Sequence, residues 1–352
     1  MKREALRRWM AGVSYGLGAT RALTRAGDRW RVLRAEKGLS LGPRRRDPFL
    51  VLIYHRVNPT QSRFSIESAA PESFRRQMIH LAHDYNVLPL DEIVRRLDVD
   101  DPLPPRTAAI TFDDGYADNY TDAFPILRDL GLPATVFLTT GPVETGQSLW
   151  FDRVLRAFER SPRERVALPG GEMSLDLGDD DQRGREAIRA LYALMRLSNQ
   201  ERLAAVDRLV RDLGGEDGSP PTPMLSWDQV REMARAGITF GAHTVTHPIL
   251  SRLSLSDAKA EIVESKRRIE EETGLPVTLF AYPVGRRSDY SPEVIRVVAD
   301  AGFRAAFTTT PGANARGDDR FLLRRVKPWG EDVPSFALGL GVQYLTEWSP
   351  RA

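Results

Sequence analysis

The stretch "AAITFDDGYADNY", residues 108–120, runs from apolar and β-branched residues into two adjacent carboxylates, Asp113 and Asp114, and then Gly115. The run before the acids reads as a buried strand. Adjacent carboxylates repel one another and resist burial, so their place at the end of such a strand needs a reason.

Around this stretch the chain repeats one form, a helix closed by glycine and followed by a strand. It occurs as "DAFPILRDLGLPATVFLTT", "SWDQVREMARAGITFGAH", "DAKAEIVESKRRIEEETGLPVTLFAYP" and "SPEVIRVVADAGFRAAFTTT". Ser226 and Ser291 are natural N-caps, Pro292 suits a first helical position, and Gly131, Gly237, Gly274 and Gly302 fall where a helix end turns left-handed. The strands are short, apolar and rich in Val, Ile, Phe and Thr, with little in–out alternation, as in a parallel sheet covered on both faces. His55, Asp113–Asp114, Thr139–Thr140, His243, Tyr282 and Thr308–Thr310 all fall at or just beyond C-terminal strand ends. A (β/α) barrel gathers those ends on one rim, whereas an open sheet spreads them along an edge; the barrel is the expected fold. The pattern lapses between about 145 and 222. There "REAIRALYALMRL" and "NQERLAAVDRLVRDLGG" read as two helices, after an acidic "DLGDDDQ" loop. They form a helical insertion over the rim, with a lid and a purely structural cap both open as readings.

The chain has 352 residues, 41% hydrophobic and 28% charged, with no cysteine. Disulfides, iron–sulfur clusters and thiolate zinc sites are thereby excluded, and any metal must be held by His, Asp or Glu. The net charge is only +2, yet residues 1–46 carry thirteen Lys/Arg against three Asp/Glu. No apolar run reaches the ~18 residues of a membrane span, and the N-terminus lacks the apolar core and cleavage site of a secretory signal, so a cytoplasmic location is expected. Leu6, Trp9, Met10, Val13 and Leu17 fall at helical spacing beside Arg3, Arg7 and Arg8. One reading is a basic amphipathic helix resting peripherally on the inner membrane face; the other is a helix packed on the domain or a solvated arm. Nucleic acid is not an expected partner, because the arm lacks interleaved aromatics and any recognisable module.

"GAHTVTHP" holds two of the chain's five histidines, His243 and His247. The β-branched residues between them and Pro248 argue against a helix, and the absence of Glu after His243 removes the HExxH reading. The pair is therefore expected on a strand end and the following loop, where it either binds metal or makes ordinary loop hydrogen bonds. Two imidazoles and one carboxylate would form a three-ligand face that leaves a divalent ion open to water. With Asp114 as third ligand, Asp113 is left over as a general base. The competing reading of "DDG" is an exposed turn.

"TFDDG" at 111–115 and "HTVTH" at 243–247 resemble the first two motifs of the polysaccharide deacetylases, the carbohydrate esterase family 4 or NodB-homology fold. The resemblance runs from about residue 48 to 330 and includes "GLPATVFLTTG" and "FAYPVG". It implies a deformed (β/α) barrel of about seven parallel strands; with the arm at 1–46 set apart by its charge, the barrel domain is expected at 47–345. It also implies removal of N-linked acetyl groups from an N-acetylated glycan, with Asp113 as base and Asp114, His243 and His247 binding the metal. Zn²⁺ is the expected ion, with Co²⁺, Ni²⁺, Mn²⁺ or Fe²⁺ as alternatives. Tyr116, Tyr282, Pro283 and Val284 are the expected substrate and oxyanion pocket.

Two departures stand out. No histidine follows His247, so the late catalytic histidine of the family's usual order is missing. "YHRV" ahead of "TFDDG" resembles the permuted branch that includes the poly-N-acetylglucosamine deacetylases, which assigns the acid role to His55; His80 and His83 read as surface residues. Ala281 stands where the family often has an Arg that orients the base, leaving Arg286 or Arg325 to replace it. Trp150, Trp227 and Trp329 are scattered candidates for sugar contact. The alternative functions are O-deacetylation, hydrolysis of small cyclic amides, or non-catalytic glycan binding.

Overall fold

All eight residues of Thr107–Asp114 are buried, the acidic pair included. This strand lies within a parallel sheet that a computed structural model describes over residues 48–346, apart from 61, 63, 66, 169–173, 215–221 and 329. The basic arm with its candidate membrane helix, and Trp329, lie outside the described residues.

In chain order the elements are β1 (Phe49–Tyr54), β2 (Arg56–Val57), β3 (Ser68–Ala69), α1 (Pro71–Asp84), β4 (Asn86–Val87), α2 (Leu90–Asp98) and β5 (Thr107–Asp114). A π-helical turn (Asn119–Ala123) leads into α3 (Phe124–Asp129), then β6 (Thr135–Leu138) and α4 (Thr140–Thr145). The insertion holds α5 (Trp150–Arg160), β7 (Arg165–Ala167), β8 (Ser174–Asp176), α6 (Asp180–Leu194) and α7 (Asn199–Asp212). The chain ends with α8 (Trp227–Arg235), β9 (Thr239–Ala242), α9 (Leu255–Thr273), β10 (Leu279–Ala281), α10 (Pro292–Asp300), β11 (Ala305–Phe307) and α11 (Val333–Thr346).

Seven strands form one sheet in the order β1-β5-β6-β9-β10-β11, with β4 beside the start of β5. Two helix starts follow the sequence directly: Ser226 and Ser291 accept hydrogen bonds from the N–H groups of Gln229 and Val294, as their places in the sequence predict. The sheet curls until its edges are linked by one extended segment, Leu323–Val326. Leu323 bridges to Phe307 of β11, and Val326 bridges to Leu52 of β1. The Val326 N–H donates to Val51 O at 2.7 Å and the Thr308 N–H to Leu323 O at 2.8 Å.

The curl explains the missing alternation. Val51, Ala109, Phe137, Ala281, Phe307 and Leu323 pack in one buried cluster spanning both edge strands and the linking segment, which places them on the concave face. Leu52, Ile110, Phe112, Val136, Phe280 and Tyr282 pack with the helix layer on the convex face. Both faces are dry, so hydropathy cannot separate them, although the period of two persists in space. Ala109, Thr111 and Asp113 share the concave phase; the first acid of the pair therefore points into the barrel.

The insertion has a core of its own. Both expected helices are present, as α6 and α7, but the segment also contains α5 and the antiparallel β7–β8 hairpin. The acidic stretch is not a simple loop: Asp176 ends β8, and Asp179 caps α6 by accepting from the Gln182 N–H. Three-residue strands carry too little pattern to be read from sequence. For α5 the signal was there, since Trp150, Phe151, Val154, Leu155 and Phe158 fall at helical spacing and are all buried.

Gly241 of β9 makes the concave face sensitive to size, because a Cβ there would lie 2.5 Å from the Phe137 ring and 3.0 Å from Leu279 O. Gly241→Ala is expected to cost about 1–3 kcal/mol of stability by overpacking, measured by denaturant unfolding at neutral pH.

Candidate metal centre at the strand ends

Asp113 and Asp114 are 2% and 1% exposed, and the fold treats them differently. Asp113 receives a two-pronged contact from Arg325, with Nη1 on Oδ1 at 2.6 Å and Nη2 on Oδ2 at 2.7 Å. Arg325, itself 0% exposed, comes from the segment that links β11 to β1, and its Nε donates to Thr308 O at 3.0 Å. Burial pushes the Asp113 carboxyl up, but Arg325, with smaller help from His243 and His55, outweighs it and the group settles at about 2.

Asp114 leaves the strand. Its φ of +74° turns the backbone left-handed, so the carboxylate swings onto the rim instead of continuing the convex phase of Phe112. Its Oδ1 lies 3.5 Å from His243 Nε2 and 3.4 Å from His247 Nε2 and accepts no hydrogen bond from any described residue. Burial, with the charge of Asp113 added, pushes the Asp114 carboxyl well above its usual range. Burial also pulls His243 down to about 4 and His247 well below its ordinary value.

His243 follows β9 directly, and its Nδ1 lies 2.8 Å from Ala281 O. A donor is needed there, so the hydrogen sits on Nδ1 and the Nε2 lone pair faces Asp114. His247 lies in the loop beyond, as expected, not on a helix. The loop is pinned from both sides: the Val245 and Thr246 N–H groups donate to Glu261 Oε2 at 2.7 and 2.9 Å, and the Gly141 N–H donates to Val245 O at 2.8 Å. Four of the six described non-glycine residues with positive φ belong to this rim: Asp114, Thr244, His247 and Val284. Each costs on the order of 1–3 kcal/mol, and such strain gathers where a site needs an unusual geometry.

The donor set fits a divalent cation. One ligand atom each from Asp114, His243 and His247 lie within 4.8 Å of one another, all buried. An unpartnered carboxylate oxygen facing two neutral imidazole nitrogens is short of positive charge, and a cation supplies it.

His55 follows β1 on the same rim, half-buried, its Nδ1 enclosed without a hydrogen-bond partner. Burial lowers its pKa although the charges of Asp113 and Glu67 act to raise it. Its imidazolium is thus a stronger acid than that of free histidine.

Other expected site residues are placed elsewhere. Tyr116 is fully buried with its hydroxyl donating to Asp152 Oδ2 of α5 at 3.0 Å, so it braces the insertion and does not line a pocket. Tyr282 falls on the convex phase and stacks on Tyr290 at 4.5 Å, away from the acids. Pro283 and Val284 do lie on the rim, in a tight turn where Thr309 Oγ1 donates to Val284 O at 2.7 Å. Arg286 turns outward, with its guanidinium 5.0 Å from the Tyr192 ring centroid; Arg325 alone reaches Asp113. His80 is not a surface residue: it is 7% exposed, with Nδ1 at 3.0 Å from Asp84, whereas the His83 side chain is 65% exposed. Among the tryptophans, Trp150 is buried and Trp227 lies half-buried under Arg268, so neither offers a free face to a sugar.

A family model described as polysaccharide deacetylase matches residues 100–306. YxkH of Bacillus subtilis (strain 168), named for the same family, is 24% identical over 279 residues, covering 79% of this chain and 70% of that one. The fold is similar to the Streptococcus pyogenes deacetylase PplD, solved in complex with acetate, with TM-score 0.57 and 19% identity over 86% of this chain and 99% of that one. It is also similar to IcaB from Ammonifex degensii, with TM-score 0.55 and 21% identity over 84% and 98% of the two chains. His55 and Arg325 both lie outside the stretch that the family model matches.

Removing the guanidinium tests the pairing. Arg325→Met is expected to cost about 3–5 kcal/mol near neutral pH, because it leaves a buried carboxylate unpaired. The depressed pKa of Asp113 contributes stability above the unfolded value of about 4, lost as pH falls through the folded value. The wild type's advantage over the mutant should therefore shrink as pH falls, from above about pH 4, where the mutant's unpaired buried carboxyl takes up its proton, down to about 2, where the wild type's does, as read by denaturant unfolding across that range.

Proposed function

The chain belongs to the polysaccharide deacetylase family, and from that premise we propose that it is a metal-dependent N-deacetylase, releasing acetate from an N-acetylated glycan. One observation carries the reading: of two adjacent buried acids, one faces a pair of neutral imidazoles while the other is held ionised by a guanidinium.

Asp114, His243 and His247 would hold the cation, which when bound polarises a carbonyl oxygen and acidifies water. Zn²⁺ suits two imidazoles and a carboxylate, with Co²⁺, Ni²⁺, Mn²⁺ and Fe²⁺ as substitutes. Asp113 stays ionised beside Arg325 and removes a proton from the water that attacks the acetyl carbon. The Val284 N–H, on the tight turn after Pro283, donates to the oxyanion of the tetrahedral intermediate. His55 gives its proton to the sugar nitrogen as the carbon–nitrogen bond breaks, leaving acetate and a free amine. That proton is the reason to prefer amides over esters, since an amine leaves poorly without one while an alcohol depends on it less. The basic arm at 1–46 is consistent with work at the cytoplasmic face of an anionic membrane.

Acetate release from a short N-acetylglucosamine oligomer is expected to stop after chelation and return with added Zn²⁺; release unchanged by chelation overturns the metal role. Release from O-acetylated but not N-acetylated sugars would move the protein to the esterases. His55→Ala should keep bound metal and lose on the order of 10²–10⁴ in turnover, whereas His243→Ala should lose both; full activity in His55→Ala removes it as the acid.

A further inference from the structure

The insertion is joined to the metal centre by three consecutive residues at the start of α5. Trp150, 4% exposed, donates its indole N–H to the main-chain oxygen of His247 at 3.1 Å. The Phe151 ring lies edge-on to the His247 imidazole, with centroids 5.0 Å apart. Asp152 accepts from the hydroxyl of Tyr116, two residues beyond Asp114. The indole is held on a further side by Arg202 of α7, whose guanidinium lies 5.0 Å from the ring centroid. Arg202 is 1% exposed, and its Nε and Nη1 make no hydrogen bonds, so stacking on Trp150 is a main contact of its charged end.

These contacts fall where the backbone is strained. His247 has a φ of +56° and Thr244 one of +67°, and the Trp150 bond fastens the first of them at its carbonyl. Asp114, at +74°, precedes a glycine and then Tyr116, whose ring is fixed by Asp152 on one side and by the Arg56 guanidinium 4.7 Å from its centroid on another. A left-handed histidine in a loop does not hold that shape by itself.

We propose that Trp150, Phe151 and Asp152 are positioning residues for the metal centre, and that the insertion serves to hold His247 and Asp114 in their ligating geometry. This rests on the metal reading above. Neither a lid over the substrate nor an independent cap requires contacts at both ligand loops. Val154, one turn along α5, is 0% exposed in the insertion's own core and makes none of the three contacts above.

The test is metal affinity, not activity. Co²⁺ is titrated into metal-free protein, read by its visible absorption and by competition with a chelator, for wild type, Trp150→Phe, Asp152→Ala, Asp152→Asn and Val154→Ala. Trp150→Phe keeps an aromatic ring under Arg202 but loses the N–H, and should weaken Co²⁺ binding about tenfold or more, the scale of outer-shell effects. Asp152→Ala should weaken it similarly, and Asp152→Asn should restore it because the amide oxygen still accepts from Tyr116. Val154→Ala should lower the melting temperature of the metal-free protein and leave affinity unchanged. Wild-type affinity in Trp150→Phe and Asp152→Ala overturns the proposal, as does an equal loss in Val154→Ala, which would make affinity a matter of overall stability. If wild type binds no Co²⁺ at Asp114, His243 and His247, the metal reading itself fails, and that outcome is distinct from the others.

Discussion

Two neighbouring carboxylates, both almost completely buried, would repel each other and pay heavily for leaving water unless each had a partner of opposite charge. Arg325 meets that need for Asp113 with two parallel hydrogen bonds of 2.6 and 2.7 Å. Among the described residues no cation pairs directly with Asp114, whose Oδ1 faces two imidazoles that burial keeps neutral. The same burial therefore leaves one acid a fixed anion and the other, pushed up toward its protonated form, facing two imidazoles. Left-handed backbone at Asp114 makes the division possible by turning the second carboxylate off the strand.

The closure of the sheet is what delivers Arg325. Were the edges of β1 and β11 open, the segment 323–326 would have no reason to run along the concave wall, and Asp113 would be an uncompensated buried charge. Ala281 complements this arrangement. Its small side chain leaves the concave face to Arg325, while its carbonyl oxygen fixes the tautomer of His243. A guanidinium thus reaches Asp113 from the segment that links β11 to β1, and Ala281 O keeps its contact with His243 Nδ1.

Much of this was legible in the chain. The buried strand ending in two acids, the glycine-closed helices and the histidines on a loop are all local patterns, and local patterns survive translation into structure. Two kinds of feature were not legible. The concave or convex sense of a residue such as Tyr282 was hidden because both sides of the sheet are dry, so composition carries no phase. Long-range partners were hidden as well: Arg286 and Arg325 are equally basic in sequence, and only closure of the sheet separates the one stacked on Tyr192 from the one paired with Asp113. His80 was misjudged for a related reason, since its cover comes in part from Phe336, far along the chain. The helix α5 is a different case, for its apolar spacing was present and its three contacts with the metal loops were not.

A division of labour between the adjacent acids is tested by comparing Asp113→Asn with Asp114→Asn for bound Zn²⁺ and for acetate release. Asp113→Asn should retain close to one Zn²⁺ per chain and release almost no acetate, while Asp114→Asn should lose both. Equal metal loss in the two variants, or turnover surviving in Asp113→Asn, would contradict it.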